Sequence, residues 1–157
     1  MATSPQMQAK IEKINKLIEE GHTLQKTYQG FIEFRNASGK PVNIYGLLKS
    51  PAGFSWIAFF FPFAVCAQIK EWSYFYINGI AFAIIALIHG TTGIDGNNAA
   101  GFAIAITYAY MFPYLRKIAQ DSGVEDASKG KSILVGILLS IVCLAPSYLI
   151  DIAFGNF

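Results

Sequence analysis

The chain has 157 residues and a mass of 17.2 kDa; 54% of its residues are apolar, only 14% are charged, and mean hydropathy is +0.41. A domain this small leaves much of its chain in contact with solvent, so the composition excludes disorder, a collagenous fibre and a disulfide scaffold and points to a bilayer. A formal charge of +2 is too small to argue for nucleic acid.

The N-terminal fifty residues read as water-facing. Ser4-Pro5 is a helix start, with a capping serine and proline in the first turn. Met7, Ile11, Ile14 and Ile18 then recur on one helical stripe, surrounded by Lys10, Lys13 and Lys16, and Gly21 ends the pattern. The stripe is read as packing on its own domain or on a copy of itself, or as lying flat on anionic headgroups. Residues Phe31, Ile32 and Phe34, then Val42, Ile44 and Tyr45, flank the turn residues Asn36 to Lys40, which predicts a short β-hairpin. Asn36-Ala37-Ser38 fits a glycosylation acceptor, but on a turn read as cytoplasmic.

Four apolar segments follow: 52–69, 72–89, 99–114 and 133–150. Each is near the lower length limit for crossing a hydrocarbon core of about 30 Å as a helix. The early residues carry neither an apolar block nor a cleavage site of the kind a signal peptide needs, so insertion is expected from these internal segments. The distribution of lysine and arginine arbitrates. Seven precede residue 52 (Lys10, Lys13, Lys16, Lys26, Arg35, Lys40, Lys49), and Lys70 separates the first two segments. Arg116, Lys117, Lys129 and Lys131 lie between the last two, and none fall elsewhere. Four crossings from a cytoplasmic N-terminus would leave seven of these inside and five outside, whereas a first segment that re-enters keeps all twelve inside.

The first segment itself fits re-entry, being rich in aromatics with Pro62 breaking its middle. Trp56 and Trp72 bracket it as interface anchors, and residues 54–76 hold ten of the 23 aromatics. The expected architecture is therefore an all-α membrane protein: three transmembrane helices (72–89, 99–114, 133–150) and a re-entrant or interfacial helix (52–69). A cytoplasmic amphipathic helix and short hairpin over 1–50 precede the membrane domain of 51–157. The turn from His89 to Asn98 and the C-terminus Gly155-Asn156-Phe157 are expected outside.

Few residues suggest chemistry. Gly101, Ala105 and Ala109, and likewise Gly79 and Ala83, form small-residue stripes that let helix backbones approach, either within the chain or at a dimer face. Asn78 and Thr107 are polar within spans, while His89 and Asp151 sit at span ends and are read as solvated or packing groups. Cys66 and Cys143 lie in apolar runs and read as packing residues. Lys129-Gly130-Lys131-Ser132 echoes a phosphate loop but lacks its first glycine, since Glu125 stands there. No catalytic, cofactor or metal residues are assigned: there is no zinc or paired-cysteine signature and no nucleophile elbow.

The run Gly53-Phe54-Ser55-Trp56-Ile57-Ala58-Phe59-Phe60-Phe61-Pro62-Phe63 resembles the opening signature of a family of small bacterial inner-membrane proteins of unknown function. Members read Phe-Ser-Trp-x-Ala-Phe-Phe-Phe-Gly-Pro, continue through an aromatic-rich span, and end a later helix in a basic stretch to which Tyr114-Leu115-Arg116-Lys117 is similar. The likeness covers about residues 53–150; Pro62 stands where glycine is common, and the N-terminal helix and hairpin are longer. It implies a multi-pass protein of the bacterial inner membrane and carries over no catalytic residue. The expected function is a non-enzymatic accessory or scaffold subunit whose cytoplasmic region binds a membrane-protein partner or a second copy. The alternative is a small oligomeric transporter or channel using Asn78 and Thr107, and a lipid-modifying enzyme ranks third.

Overall fold

A computed structural model describes residues 4–46 and 50–155. Lys49 and the Asn156–Phe157 end, both used in the reading above, lie outside the described residues. Among those described, the chain is mostly helical, with six helices and one two-stranded sheet.

Helix α1 (Pro5–Glu19) starts as expected: Ser4 accepts a hydrogen bond from the Met7 amide at 3.3 Å, and Pro5 occupies the first turn, where no donor is needed. Its stripe is covered from within, because Met7, Ile11 and Ile14 are buried and Ile18 packs at the edge of the core. The proposed partner or lipid face is therefore already occupied.

The hairpin exists with different strands. β1 (Thr23–Lys26) pairs antiparallel with β2 (Ile32–Arg35), in the register Leu24 opposite Phe34. The Asn36–Lys40 turn does form, with Asn36 Oδ1 accepting from the Ser38 and Lys40 amides. The strand expected after it does not, because Pro41 has no N–H to donate: only an isolated Arg35–Pro41 bridge and a Val42 N–H to Phe34 O bond of 2.7 Å remain. β1 escapes the sequence pattern because Gln and Lys are weak strand formers.

The next stretch is a helical hairpin. α2 (Trp56–Phe60) leads away from the N-terminal unit, and its Phe59 ring meets Phe102. Pro62 interrupts the helix, and α3 (Pro62–Gln68) leads back, so that the Gln68 carbonyl accepts from the Ala127 amide. Three long helices complete the fold: α4 (Ser73–Thr92), α5 (Asn97–Asp121) and α6 (Lys129–Phe154). α4 and α6 are parallel: Gly79 faces Cys143, and eleven residues further along both helices Gly90 faces Phe154. α5 runs against α4, since Tyr108 packs on Tyr74 and Gly101 lies by Phe82.

One continuous core joins α1, the sheet, the hairpin and the last half of α5, from Met7 and Ile14 through Phe34 to Cys66, Tyr114 and Leu115. The stretches 1–50 and 51–157 thus share a single core rather than owning one each.

Among the described residues two helices, not three, are long and apolar enough to cross a membrane: Ser73–Thr92 and Lys129–Phe154. Only 17% and 11% of their most apolar stretches are buried, the reverse of a soluble core helix. The expected span 99–114 falls short for a local reason. α5 opens on Asn97-Asn98, and from Tyr108 to Arg116 it is buried by protein. Its less covered apolar part, residues 99–107, is only about 14 Å long.

Candidate functional site

The feature that sets this chain apart is the pair α4 and α6 and the ring of residues at its two ends. Both helices are apolar on nearly every side, so packing one seam between them leaves the rest exposed. The seam is made by small residues. A Cβ on Gly79 would lie 2.5 Å from the Cys143 carbonyl oxygen, and Ala86 is fully buried beside it. Ala83, expected on the same stripe, is only half-buried. On α6 a second close approach appears where Gly136 meets the Phe63 carbonyl, 2.7 Å from where a Cβ would stand, which seats α3 on α6. The outward face of α6 runs from Ile133 to Ile152, about 28 Å of helix and close to the thickness of a hydrocarbon core.

The stripe on α5 divides. Ala109 is fully buried, and its carbonyl accepts from the Ser55 amide at 2.9 Å, so the entry of α2 lies on it. Ala105 is half-buried, and a Cβ on Gly101 would find only Phe82 Cζ at an ordinary 3.6 Å. Asn78 is half-buried on α4. Thr107 gives its hydroxyl to the Ala103 carbonyl of its own helix, 2.8 Å away. Trp56 and Trp72 are exposed at the end of the bundle where α5 joins the N-terminal unit.

Polar residues at that end hold the fold together. Glu71, nearly buried, takes Lys26 in both carboxylate oxygens at 2.6 and 2.7 Å, and also accepts from the Ser73 amide and hydroxyl at the start of α4. A carboxylate at a helix N-terminus is favoured by the free amides and the dipole there. Lys10 donates to the carbonyls of Ala52 and Phe54, both at 2.9 Å, where the chain turns into α2. Burial, and secondarily the Lys13 charge, lowers the Lys10 ammonium below its ordinary value. Arg116, buried in α5, pairs with Asp126 of the loop before α6.

The opposite end holds the pair that sequence separation concealed. His89 on α4 and Asp151 on α6 stand 3.7 Å apart between Nδ1 and Oδ1, and both atoms are buried without a hydrogen-bond partner among the described residues. Sequence reading placed each at a span end, as a solvated or packing group. Parallel packing of α4 on α6 brings them together, and no spacing rule within either helix could have found that. The described lysines and arginines all lie toward the other end: in the N-terminal unit, at Lys70 before α4, at Arg116 and Lys117 near the end of α5, and at Lys129 and Lys131 in the first turn of α6.

Cys66 is fully buried and Cys143 half-buried; both are free, and Cys143 sits on the α4–α6 seam. Among the described residues no group of three or more histidine, cysteine, aspartate or glutamate side chains is placed to hold a metal ion. No family model, curated protein or solved structure matches this chain.

Proposed function

We propose that this chain is a membrane-embedded accessory or scaffold protein of the bacterial inner membrane, without catalytic activity of its own. The observation that carries the membrane reading is the parallel α4–α6 pair, whose outward faces are apolar along a bilayer's thickness. Parallel spans need a return between them, and α5 is the antiparallel connection, its second half shielded by α1, the sheet and α2 rather than by its own apolar surface. On the same reading the α2–α3 hairpin enters and leaves on the side of the N-terminal unit. Every described lysine and arginine then faces the cytoplasm, and α6 ends on the far side. The accessory reading is supported by how the polar groups are used: Lys26 with Glu71, Arg116 with Asp126 and Lys10 with two carbonyls each tie one element to another.

Single-cysteine accessibility tests the threading. A cysteine at Ser38 should react only with cytoplasmic reagent and one at Gly155 only with reagent added outside; equal labelling from one side would overturn it. Purification in mild detergent tests the role: a stoichiometric partner or a homo-oligomer is expected, and a protein that is consistently monomeric and alone would refute it. A transporter through Asn78 and Thr107 is the second reading, favoured by the position of Asn78 on α4. It predicts flux in reconstituted vesicles that changes in Asn78→Leu.

A further inference from the structure

We propose that the turn between β1 and β2 is a wedge seated in the membrane interface, and that the groove it forms with α4 receives one acyl chain of a lipid in that leaflet. The proposal rests on α4 crossing the bilayer and adds a surface for which the N-terminal unit would otherwise have no use.

The turn is built to sit where it does. Thr27 and Phe31 close it with a 2.8 Å backbone bond, and the Thr27 hydroxyl accepts from the Phe31 amide. Gly30, inside it, has φ +89°, and a Cβ there would stand 2.6 Å from Ser73 Cβ. Only glycine lets the turn rest directly on the first residue of α4. Lys26, one residue before the turn, is clamped by Glu71, two residues before α4 begins. The turn therefore cannot swing away from the point at which α4 meets the membrane surface.

Its side chains suit that level and no other nearby. Tyr28 is fully exposed (102%), and Phe31 and Tyr76 are each close to half exposed. Together with Ile80 and Ile84 they form an apolar patch that water would disfavour. Tyrosine at the headgroup level with aliphatic residues beneath is the order an interface imposes. Between the turn and α4 lies a groove of about 670 Å³. It descends from Tyr76 to Ile84, about 12 Å of helix against the roughly 15 Å of one leaflet's hydrocarbon. Its polar lining residues, Tyr28, Gln29 and Tyr76, come from the turn and from the upper end of the α4 stretch, and its floor continues into the exposed strip of α4 at Leu87 and Ile88. An acyl chain is the occupant with that polarity gradient and that length. No charged side chain lines the groove, so headgroup charge should not select the lipid.

Tryptophan quenching in phosphatidylcholine vesicles tests this on the full chain. In a Trp56→Phe/Trp72→Phe background, one reporter is Tyr28→Trp and the other is Ile141→Trp, midway along the exposed face of α6. Nitroxide placed near the headgroup should quench Tyr28→Trp, nitroxide deep in the chain should quench Ile141→Trp, and aqueous iodide should reach neither. Adding Ala81→Phe, which fills the groove, should reduce quenching of Tyr28→Trp to the level set by bulk lipid and leave Ile141→Trp unchanged. Replacing a third of the lipid by phosphatidylglycerol should alter nothing. Quenching of Tyr28→Trp by iodide alone, with Ile141→Trp still quenched by lipid, would overturn the wedge and leave the membrane reading standing. Loss of lipid quenching at both positions would overturn both. Unaltered Tyr28→Trp quenching in Ala81→Phe would overturn the groove.

Discussion

Gly79 and Gly101 look alike in the sequence, and replacing each with alanine separates them. A Cβ on Gly79 would stand 2.5 Å from the Cys143 carbonyl oxygen and 3.2 Å from Cys143 Cβ. The oxygen belongs to the backbone of a helix, so no rotamer change relieves the contact; α4 and α6 must move apart by about 0.9 Å to restore an ordinary distance. A gap of that size forfeits about a quarter to a half of the dispersion attraction of the atoms along it. Overpacking of this kind costs about 1–3 kcal/mol, against which the better helix propensity of alanine returns about 0.5–1 kcal/mol. The net loss of about 1–2 kcal/mol corresponds to a fall in Tm of about 2–8 °C for a chain of this length. Gly101→Ala meets only Phe82 Cζ at 3.6 Å, so the propensity gain stands alone and Tm should hold or rise. Thermal unfolding in one mild detergent, followed by circular dichroism, reads both. Equal Tm values for the two variants, or a larger fall for Gly101→Ala, would refute the parallel α4–α6 seam as described.

Three further outcomes are expected. Lys10→Met removes two charge-assisted bonds and strands the Ala52 and Phe54 carbonyls, at a cost of about 1–3 kcal/mol in urea unfolding. Because burial lowers the folded ammonium below its unfolded value of 10.5, the unfolded chain holds the extra proton just below pH 10.5; stability therefore rises with pH through that window, and Lys10→Met should flatten the rise. Glu71→Gln leaves Lys26 facing a neutral amide and weakens the start of α4, which should cost about 2 kcal/mol and loosen amide exchange in β1 and in the first turn of α4 together. A double-mutant cycle of His89→Ala with Asp151→Asn should show a coupling of about 0.5–3 kcal/mol in thermal unfolding, since the two side chains approach to 3.7 Å; strictly additive single effects would show that the two groups do not interact.

Much of this fold is written locally. Helix α1 was legible because its signals are neighbours in the chain: a capping serine, a proline that needs no donor and a 3–4 residue apolar period. The long apolar helices α4 and α6 were legible from length and apolarity alone, and the break at Pro62 from a missing N–H. The partner of each face was not. Whether Met7, Ile11 and Ile14 meet lipid, another copy or α5 depends on contacts a hundred residues away, and the fold places them on α5. The same holds for β2, whose turn chemistry is local but whose strand partner, β1, was decided by Pro41 failing as a donor and by the seat of the turn on α4.

Hydropathy and charge, which are properties of single residues summed over a stretch, determined which segments are apolar enough to cross a membrane and where along the chain the basic residues cluster. Tertiary structure decided the rest: that α5 reaches its neighbours through protein-covered tyrosines instead of an apolar surface, that Gly79 is crowded where Gly101 is not, and that His89 faces Asp151. Those outcomes turn on distances of a few ångströms between helices that the sequence separates by tens of residues, and no summation along the chain contains them.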